Sequence, residues 1–171
     1  NGLAVINNDF PYIANREVNN VAVKRYALSP GANYHVENIE YGEVDTQFTI
    51  VGEGRSIQLS TKLVGDCNLS NLMASVIVAL HLDVPEKAIR YGVSQIEQVE
   101  HRLNMKRTPG GLSIIDDAFN SNPDGARMAL DVLSRMKTGK RIVITPGMIE
   151  LGDKQVEYNK RFGARNCPIS L

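Results

Sequence analysis

The first part of the chain has the apolar pattern of β-strands. Residues 2–7, 21–23 and 47–51 are short apolar runs, and apolar and polar side chains alternate over residues 57–63. Each pattern is typical of a strand that is buried on one face or on both. Residues 52–54, Gly-Glu-Gly, have the composition of a tight turn, so the last two strands are predicted to form a β-hairpin.

Two helices are predicted to follow these strands. Apolar side chains recur at helical spacing at Leu72, Met73, Val76, Ile77 and Leu80. Asn68 or Ser70 is the predicted N-cap of this helix, and a second helix is predicted to begin at Pro85. The polar stretch 95–100 lacks a strong period, which places a predicted domain boundary near residues 96–101.

The pattern changes after this boundary. Residues 112–116 form an apolar strand, Asn122 and Pro123 start a helix, and residues 140–145 form a second apolar run. Strand, helix and strand in this order predict a βαβ unit with a parallel sheet, and a further helix is expected over residues 154–162. The predicted fold class is therefore α/β.

Composition and charge narrow the class of protein. The 171 residues are 43% hydrophobic, and 19 basic residues balance 19 acidic ones, which gives no electrostatic case for nucleic acid or an anionic membrane as partner. Cys67 and Cys167 lie far apart and suggest neither a disulfide framework nor a zinc site. We find no membrane-spanning or signal stretch and expect a cytoplasmic protein. An apolar strand at the very start, without methionine, suggests a piece of a longer protein.

Two polar clusters are candidate binding sites. Asn68 and Asn71 lie three residues apart at a predicted helix start, where their amides can either pair with the mixed edge of an adenine ring or cap the helix. Asp116 and Asp117 end an apolar strand just before the helix that starts at Asn122. Carboxylates there can bind ribose hydroxyls or a metal, or they can belong to an ordinary turn.

Five ordered segments resemble motifs of the Mur ligases. Residues 115–123, Ile-Asp-Asp-Ala-Phe-Asn-Ser-Asn-Pro, resemble the Asp-Asp-x-Tyr-Asn-x-Asn-Pro motif of this family. The other four are 4–9, which resembles Val-x-Asn-x-Asp; 65–71, which resembles Gly-x-His-Asn-x-x-Asn; the arginine segment 100–103; and 147–152, which resembles Gly-x-Met-x-Glu-Leu-Gly. The order and spacing of five segments are far more specific than any one of them.

The resemblance implies a fold and an activity. Residues 1–98 would be the end of a central ATP-binding domain, and residues 99–171 the beginning of a truncated, dinucleotide-fold-like C-terminal domain. Such ligases use ATP and Mg²⁺ to convert a carboxylate into an acyl phosphate, which an amine then attacks. The resemblance is strongest to the branch that joins D-alanyl-D-alanine to UDP-N-acetylmuramoyl-tripeptide. These two molecules are therefore the expected partners.

Six residues receive roles from the resemblance alone. Adenine would contact Asn71 and Asn68, and Asp117 would hold the ribose. Arg102 would be the catalytic cation at the γ-phosphate. The incoming dipeptide would lie near two further residues of the motif, Asn120 and Asn122. No metal ligand is expected in this chain, because the family's magnesium ligands would precede it.

Three departures from the family pattern qualify these expectations. Cys67 stands where the family has histidine, and Phe119 stands where it has tyrosine. No Gly-x-x-x-x-Gly-Lys-Ser/Thr loop occurs in the sequence, so the chain alone is expected to be inactive. Alternatives are a cyanophycin-synthetase-like or folylpolyglutamate-synthase-like ligase, which the Asn-x-Asn-Pro spacing and residues 147–152 disfavour, and a non-catalytic nucleotide-binding module. Residues 142–144 would form an unprotected apolar strand edge of a truncated sheet, which predicts self-association.

Overall fold

A computed structural model describes residues 2–42, 45–119, 121–136 and 139–165. The chain divides into two units, Asn1–Glu97 and Gln98–Leu171, and the division falls in the polar stretch 95–100. We call them the first and the second unit and describe each by itself. In the described part of the chain, no helix is both long enough and apolar enough to cross a bilayer.

The first unit is built on a mixed five-stranded sheet. Its strands are β1 Leu3–Asn7, β2 Ala22–Tyr26, β3 Tyr34–Tyr41, β4 Thr46–Gly52 and β5 Arg55–Thr61. They are ordered β1-β2-β3-β4-β5, and β1 and β3 both pair with β2 in parallel. The β3–β4 and β4–β5 pairs are antiparallel. The apolar runs of the sequence therefore lie in strands, and the α/β class is confirmed.

The predicted hairpin at residues 52–54 is confirmed. Glu53 and Gly54 connect β4 to β5 with φ of 49° and 75°, so both central residues adopt the left-handed backbone of a type I′ turn. The carboxylate of Glu53 accepts hydrogen bonds from Lys24 Nζ and Tyr34 Oη, each 2.7 Å long. These bonds hold the turn to β2 and β3.

Three helices belong to the first unit: α1 Pro11–Ala14, α2 Asp66–His81 and α3 Glu86–Gln95. The predicted apolar stripe of α2 is buried, with Met73 and Ile77 completely inaccessible to solvent. It packs in one core with the inward side chains of β4 and β5, among them Phe48 and Ile57. The side chains of a strand alternate between faces, which is why every second residue of β4 and β5 enters this core.

The predicted N-cap of α2 is wrong. The helix begins at Asp66 after Gly65, whose φ of 87° suits glycine, so Asn68 and Ser70 lie inside its first turns. Asn68 Nδ2 donates to the carbonyl of Val64 at 2.8 Å, and Ser70 Oγ accepts from Asn7 Nδ2 at 2.8 Å. Asn68 therefore fixes the junction before α2, and Ser70 joins the helix to the end of β1, instead of capping the helix.

The second unit has a two-stranded antiparallel sheet. It is formed by β6 Asn104–Arg107 and β7 Ser113–Asp116, and two longer helices follow, α4 Pro123–Ser134 and α5 Gln155–Arg165. The strand and the helix predicted around the two aspartates are confirmed, and Asn122 caps α4 by accepting from the N–H of Gly125 at 2.9 Å. A 3₁₀ turn, Gly152–Lys154, leads into α5.

The parallel sheet predicted for the second unit requires correction. Residues 140–145 lie in neither a helix nor a strand, and β7 pairs with β6 in the described part of this unit. Apolar, β-branched composition favours a strand only where a neighbouring strand supplies hydrogen bonds. Ile142 and Ile144 instead remain 68% and 96% exposed.

We expect these exposed side chains to drive self-association of the chain. Contact between copies would remove Ile142 and Ile144 from water, so light scattering at rising protein concentration should show a growing apparent mass. Ile144→Lys should shift the equilibrium toward the monomer, because a charge would then enter the contact. A concentration-independent monomer for the unmodified chain would contradict this expectation.

Candidate functional site

Hydrogen bonds join the end of β1 to the start of α2. Asn7 is buried, and its Nδ2 donates to Ser70 Oγ at 2.8 Å while its Oδ1 accepts from the N–H of Asp9 at 2.8 Å. Asp9 Oδ2 in turn accepts from the N–H of Leu28, just beyond β2, at 2.9 Å. Residues 4–9 and 65–71, which the sequence compares with two separate motifs, therefore lie side by side.

The two candidate adenine residues lie on one face of α2, three positions apart. Asn71 is exposed, so its amide can offer both a donor and an acceptor to a planar ring. Asn68 is half-buried, and its bond to the carbonyl of Val64 leaves the side-chain oxygen as its acceptor. Asn71 is thus the better placed of the two for a ligand edge.

A three-residue turn in the second unit presents Arg102. We call residues 101–103 the Arg102 turn. His101 and Leu103 have φ of 60° and 49°, a left-handed backbone that residues with a β-carbon rarely adopt. The guanidinium of Arg102 lies over the ring of Phe119, with 4.3 Å between Cζ and the ring centroid.

Asp117 holds this turn in place. Its Oδ1 accepts a hydrogen bond of 3.0 Å from the N–H of Leu103. Burial raises the pKa of Asp117, and the Leu103 hydrogen bond and the nearby Arg102 charge oppose that rise. One oxygen of the carboxylate is therefore engaged by the backbone, and Oδ2 is the better placed acceptor for a ligand hydroxyl.

Asp116 has different surroundings, as alternation along a strand predicts. Its carboxylate contacts Lys106 Nζ at 3.1 Å and His101 Nδ1 at 3.0 Å. These two hydrogen bonds lower the pKa of Asp116, and the bond from Lys106 has the larger effect. The two adjacent carboxylates thus have pKa values shifted in opposite directions, and His101 is a partner of Asp116 at the surface.

Of the two candidate dipeptide residues, the structure describes Asn122. Asn120 lies outside the described residues. Asn122 uses its Oδ1 to cap α4, which leaves its Nδ2 as the donor group. Asn122 can therefore contact a substrate without losing this cap if its Nδ2 group is the donor.

The segment 147–152 is fixed by one side chain of α5. Asn159 Oδ1 accepts from the N–H of Met148 at 2.8 Å, and Asn159 Nδ2 donates to the carbonyl of Met148 at 2.9 Å. Gly147 has φ of 86°, and a β-carbon there would lie 2.8 Å from Asn159 Oδ1. The glycine is therefore required both by the backbone and by this close approach.

The candidate residues fall into two groups. Arg102 and Asp117 lie together in the second unit, next to Phe119, whereas Asn68 and Asn71 lie on α2 in the first unit. Asp116 and Asp117 do not fit a Mg²⁺ site, because one is paired with two cationic side chains and the other lies near Arg102. Among the described residues, no group of three potential metal ligands occurs.

Sequence reasoning missed three contributions to these groups. The Asn7–Ser70 bond joins residues 63 positions apart, so no local pattern predicts it. The bond from Leu103 to Asp117 and the stacking of Arg102 on Phe119 also join separate segments. The sequence carried a signal only for Phe119, the aromatic residue of the motif 115–123.

Comparison with known sequences identifies the family of the first unit. Residues 1–79 match the Mur ligase middle domain. These residues belong to the Mur ligase family. Two of the five motifs, 4–9 and 65–71, lie in this match, and the predicted resemblance to the family is confirmed.

Similar proteins extend this relationship beyond residue 79. UDP-N-acetylmuramoyl-tripeptide–D-alanyl-D-alanine ligase of Bacillus subtilis is 27% identical over 149 residues, covering 86% of this chain and 32% of that protein. A crystal structure of MurF from Acinetobacter baumannii is 25% identical, with a TM-score of 0.83 over 95% of this chain and 35% of that one. The chain spans about a third of the length of this curated relative.

A third comparison bears on the fold alone. MurF ligase from Thermotoga maritima, solved in complex with ADP, superimposes with a TM-score of 0.84 at 21% identity. The alignment covers 97% of this chain and 38% of that one. The fold of this chain, including the second unit, is therefore the fold of a Mur ligase segment.

Proposed function

We propose that this chain is part of an ATP-dependent ligase that joins D-alanyl-D-alanine to UDP-N-acetylmuramoyl-tripeptide through an acyl phosphate. The similarity to a curated ligase of that activity, which covers 86% of the chain, supports this proposal. In it, residues 1–98 belong to the central ATP-binding domain and residues 99–171 to the C-terminal domain. The phosphate-binding loop and the Mg²⁺ ligands would be supplied by other parts of the ligase.

The observation that carries the proposal is the arrangement around Arg102. A fixed, exposed guanidinium next to a half-buried carboxylate is suited to a nucleotide, which carries phosphates at one end of its ribose and vicinal hydroxyls on the sugar. Asp117 Oδ2 would accept a hydrogen bond from a ribose hydroxyl. Arg102 would contact the γ-phosphate and stabilise the negative charge during phosphoryl transfer.

The other assigned residues would bind adenine and orient the incoming dipeptide. Asn71, with both an amide donor and an acceptor exposed, would pair with the edge of adenine, and Asn68 would support it with its side-chain oxygen. Asn120 and Asn122 would lie near the incoming dipeptide, where the Nδ2 group of Asn122 can donate to a carbonyl or carboxylate. Orientation of the amine toward the acyl phosphate would then favour the attack.

The proposal is tested by the substrate requirement of the full-length ligase. We expect phosphate release from ATP only when UDP-N-acetylmuramoyl-tripeptide and D-alanyl-D-alanine are both present, because the acyl phosphate is consumed by the dipeptide amine. The 171-residue chain, assayed alone beside a mock preparation, is expected to release none. Turnover by the isolated chain would contradict its role as a part.

The same assay separates the alternatives. Turnover of the full-length protein with glutamate on a folate-type acceptor, or with amino acids on a polypeptide acceptor, would replace the proposed substrates with those of another amide ligase. ADP binding without phosphate release under all these conditions would identify a non-catalytic nucleotide-binding module.

A further inference from the structure

The segment after β7 fixes both ends of the Arg102 turn. The carbonyl of His101 accepts a hydrogen bond of 3.2 Å from the N–H of Phe119. The N–H of Leu103 donates to Asp117 Oδ1 at 3.0 Å, and the Leu103 side chain is buried. Residues 117 and 119 therefore hold the residues on either side of Arg102.

The backbone of the turn depends on these contacts. His101 and Leu103 both have positive φ, a backbone conformation that leucine in particular rarely adopts. Such a conformation persists where the surroundings over-determine it, and it occurs preferentially at functional sites. The two hydrogen bonds and the buried Leu103 side chain supply that constraint.

Phe119 is placed to fix the side chain of Arg102 as well. Its ring is 66% exposed, so burial in a core does not explain it. The ring lies against the guanidinium of Arg102, at 4.3 Å from Cζ to the centroid. A flat guanidinium stacked on an aromatic face loses the rotamer freedom that a long, exposed arginine side chain otherwise has.

We propose that Phe119 is a positioning residue that holds Arg102 in its anion-binding orientation before ATP arrives. This inference rests on the proposed function, in which Arg102 contacts the transferred phosphate. The ring contributes its face and needs no hydroxyl group, so phenylalanine is sufficient at this position. Its backbone N–H donates to the carbonyl of His101, the residue next to Arg102.

Steady-state kinetics of the full-length ligase test the positioning role. Phe119→Leu should lower kcat by about two- to tenfold with little change in the KM of ATP, because the lost contact orients a group that acts in the transition state. Phe119→Tyr should restore kcat, since it restores the aromatic face. Tyr91→Leu removes a similarly exposed aromatic ring, 68% exposed on α3, and should leave kcat unchanged.

A double-mutant cycle separates positioning from general stability. Arg102→Ala should lower kcat by about a hundredfold or more, the usual cost of a lost charge-stabilising donor. Phe119→Leu should have no further effect in that background, because the group that the ring positions is gone. A further, additive fall in kcat would overturn the inference and would indicate a structural role for the ring.

The remaining outcomes are equally decisive. A wild-type kcat for Phe119→Leu together with a severe loss for Arg102→Ala would overturn this inference and leave the proposed function in place. A wild-type kcat for Arg102→Ala would overturn the assignment of Arg102 and this inference with it. A rise in the KM of ATP for Phe119→Leu at unchanged kcat would assign the ring to nucleotide binding instead.

The stack itself is testable without turnover. In the 171-residue chain, the side-chain protons of Arg102 should show upfield NMR shifts from the ring current of Phe119. The shifts should disappear in Phe119→Leu and persist in Tyr91→Leu and Phe119→Tyr. Unshifted Arg102 protons in the unmodified chain would overturn the inference whatever the activity of the ligase.

Discussion

Asp117→Ala in the full-length ligase is expected to raise the KM of ATP and to lower kcat, with kcat/KM falling on the order of a hundredfold. The substitution removes the acceptor for the ribose and also the bond that holds the N–H of Leu103. A displaced Arg102 turn would then misplace the cation at the γ-phosphate. Initial rates over a range of ATP concentrations measure both constants.

Two neighbouring substitutions serve as controls for Asp117. Asp117→Asn keeps an oxygen for the Leu103 bond and loses the charge, so its loss in kcat/KM should be smaller, about tenfold. Asp116→Asn should be milder still, because that carboxylate pairs with Lys106 and His101 instead of supporting the turn. A severe loss of kcat/KM in Asp116→Asn, together with an unchanged kcat/KM in Asp117→Asn, would show that the roles of the two aspartates are reversed.

Ile77→Ala is expected to destabilise the first unit by about 2–5 kcal/mol, as measured by urea unfolding of the 171-residue chain. Ile77 is completely buried in the core that α2 forms with β4 and β5, and the missing atoms would leave a cavity. A loss of this size is a large fraction of the stability of a small domain.

The matched control lies one position further along α2. Val78 is 40% exposed, so Val78→Ala removes little buried surface and adds helix propensity. It should change the free energy of unfolding by less than about 0.5 kcal/mol. Equal effects of Ile77→Ala and Val78→Ala would contradict the orientation of α2.

Local patterns predicted the elements that local forces determine. The stripe of α2 has a helical period, Asn122 caps α4, and residues 52–54 form the hairpin turn, because each depends on neighbours in the chain. The pairing of β7 could not be read in this way. Residues 104–107, Asn-Met-Lys-Arg, lack the apolar pattern of a strand, yet they pair with β7 across the short connection 108–112, and residues 140–145 do not pair with it.

The candidate site shows the same limit at finer scale. The sequence predicted Asp117 and Arg102 through a family motif, but it did not predict that one holds the turn containing the other. Leucine does not favour positive φ, so the backbone at Leu103 carries no signature in the sequence. Asn68 does not cap α2, because the helix already begins at Asp66, directly after Gly65.

Asn159 also shows how a single amide can stand in for a missing strand. Its two ends bind the N–H and the C=O of Met148, the same pair of groups that an adjacent strand would engage in a sheet. Deamidation to aspartate would remove the donor, leaving the Met148 carbonyl, and the carbonyl of Gln155, without that N–H. Deamidation of this one residue would therefore loosen the segment around Gly147 without cleavage of the backbone.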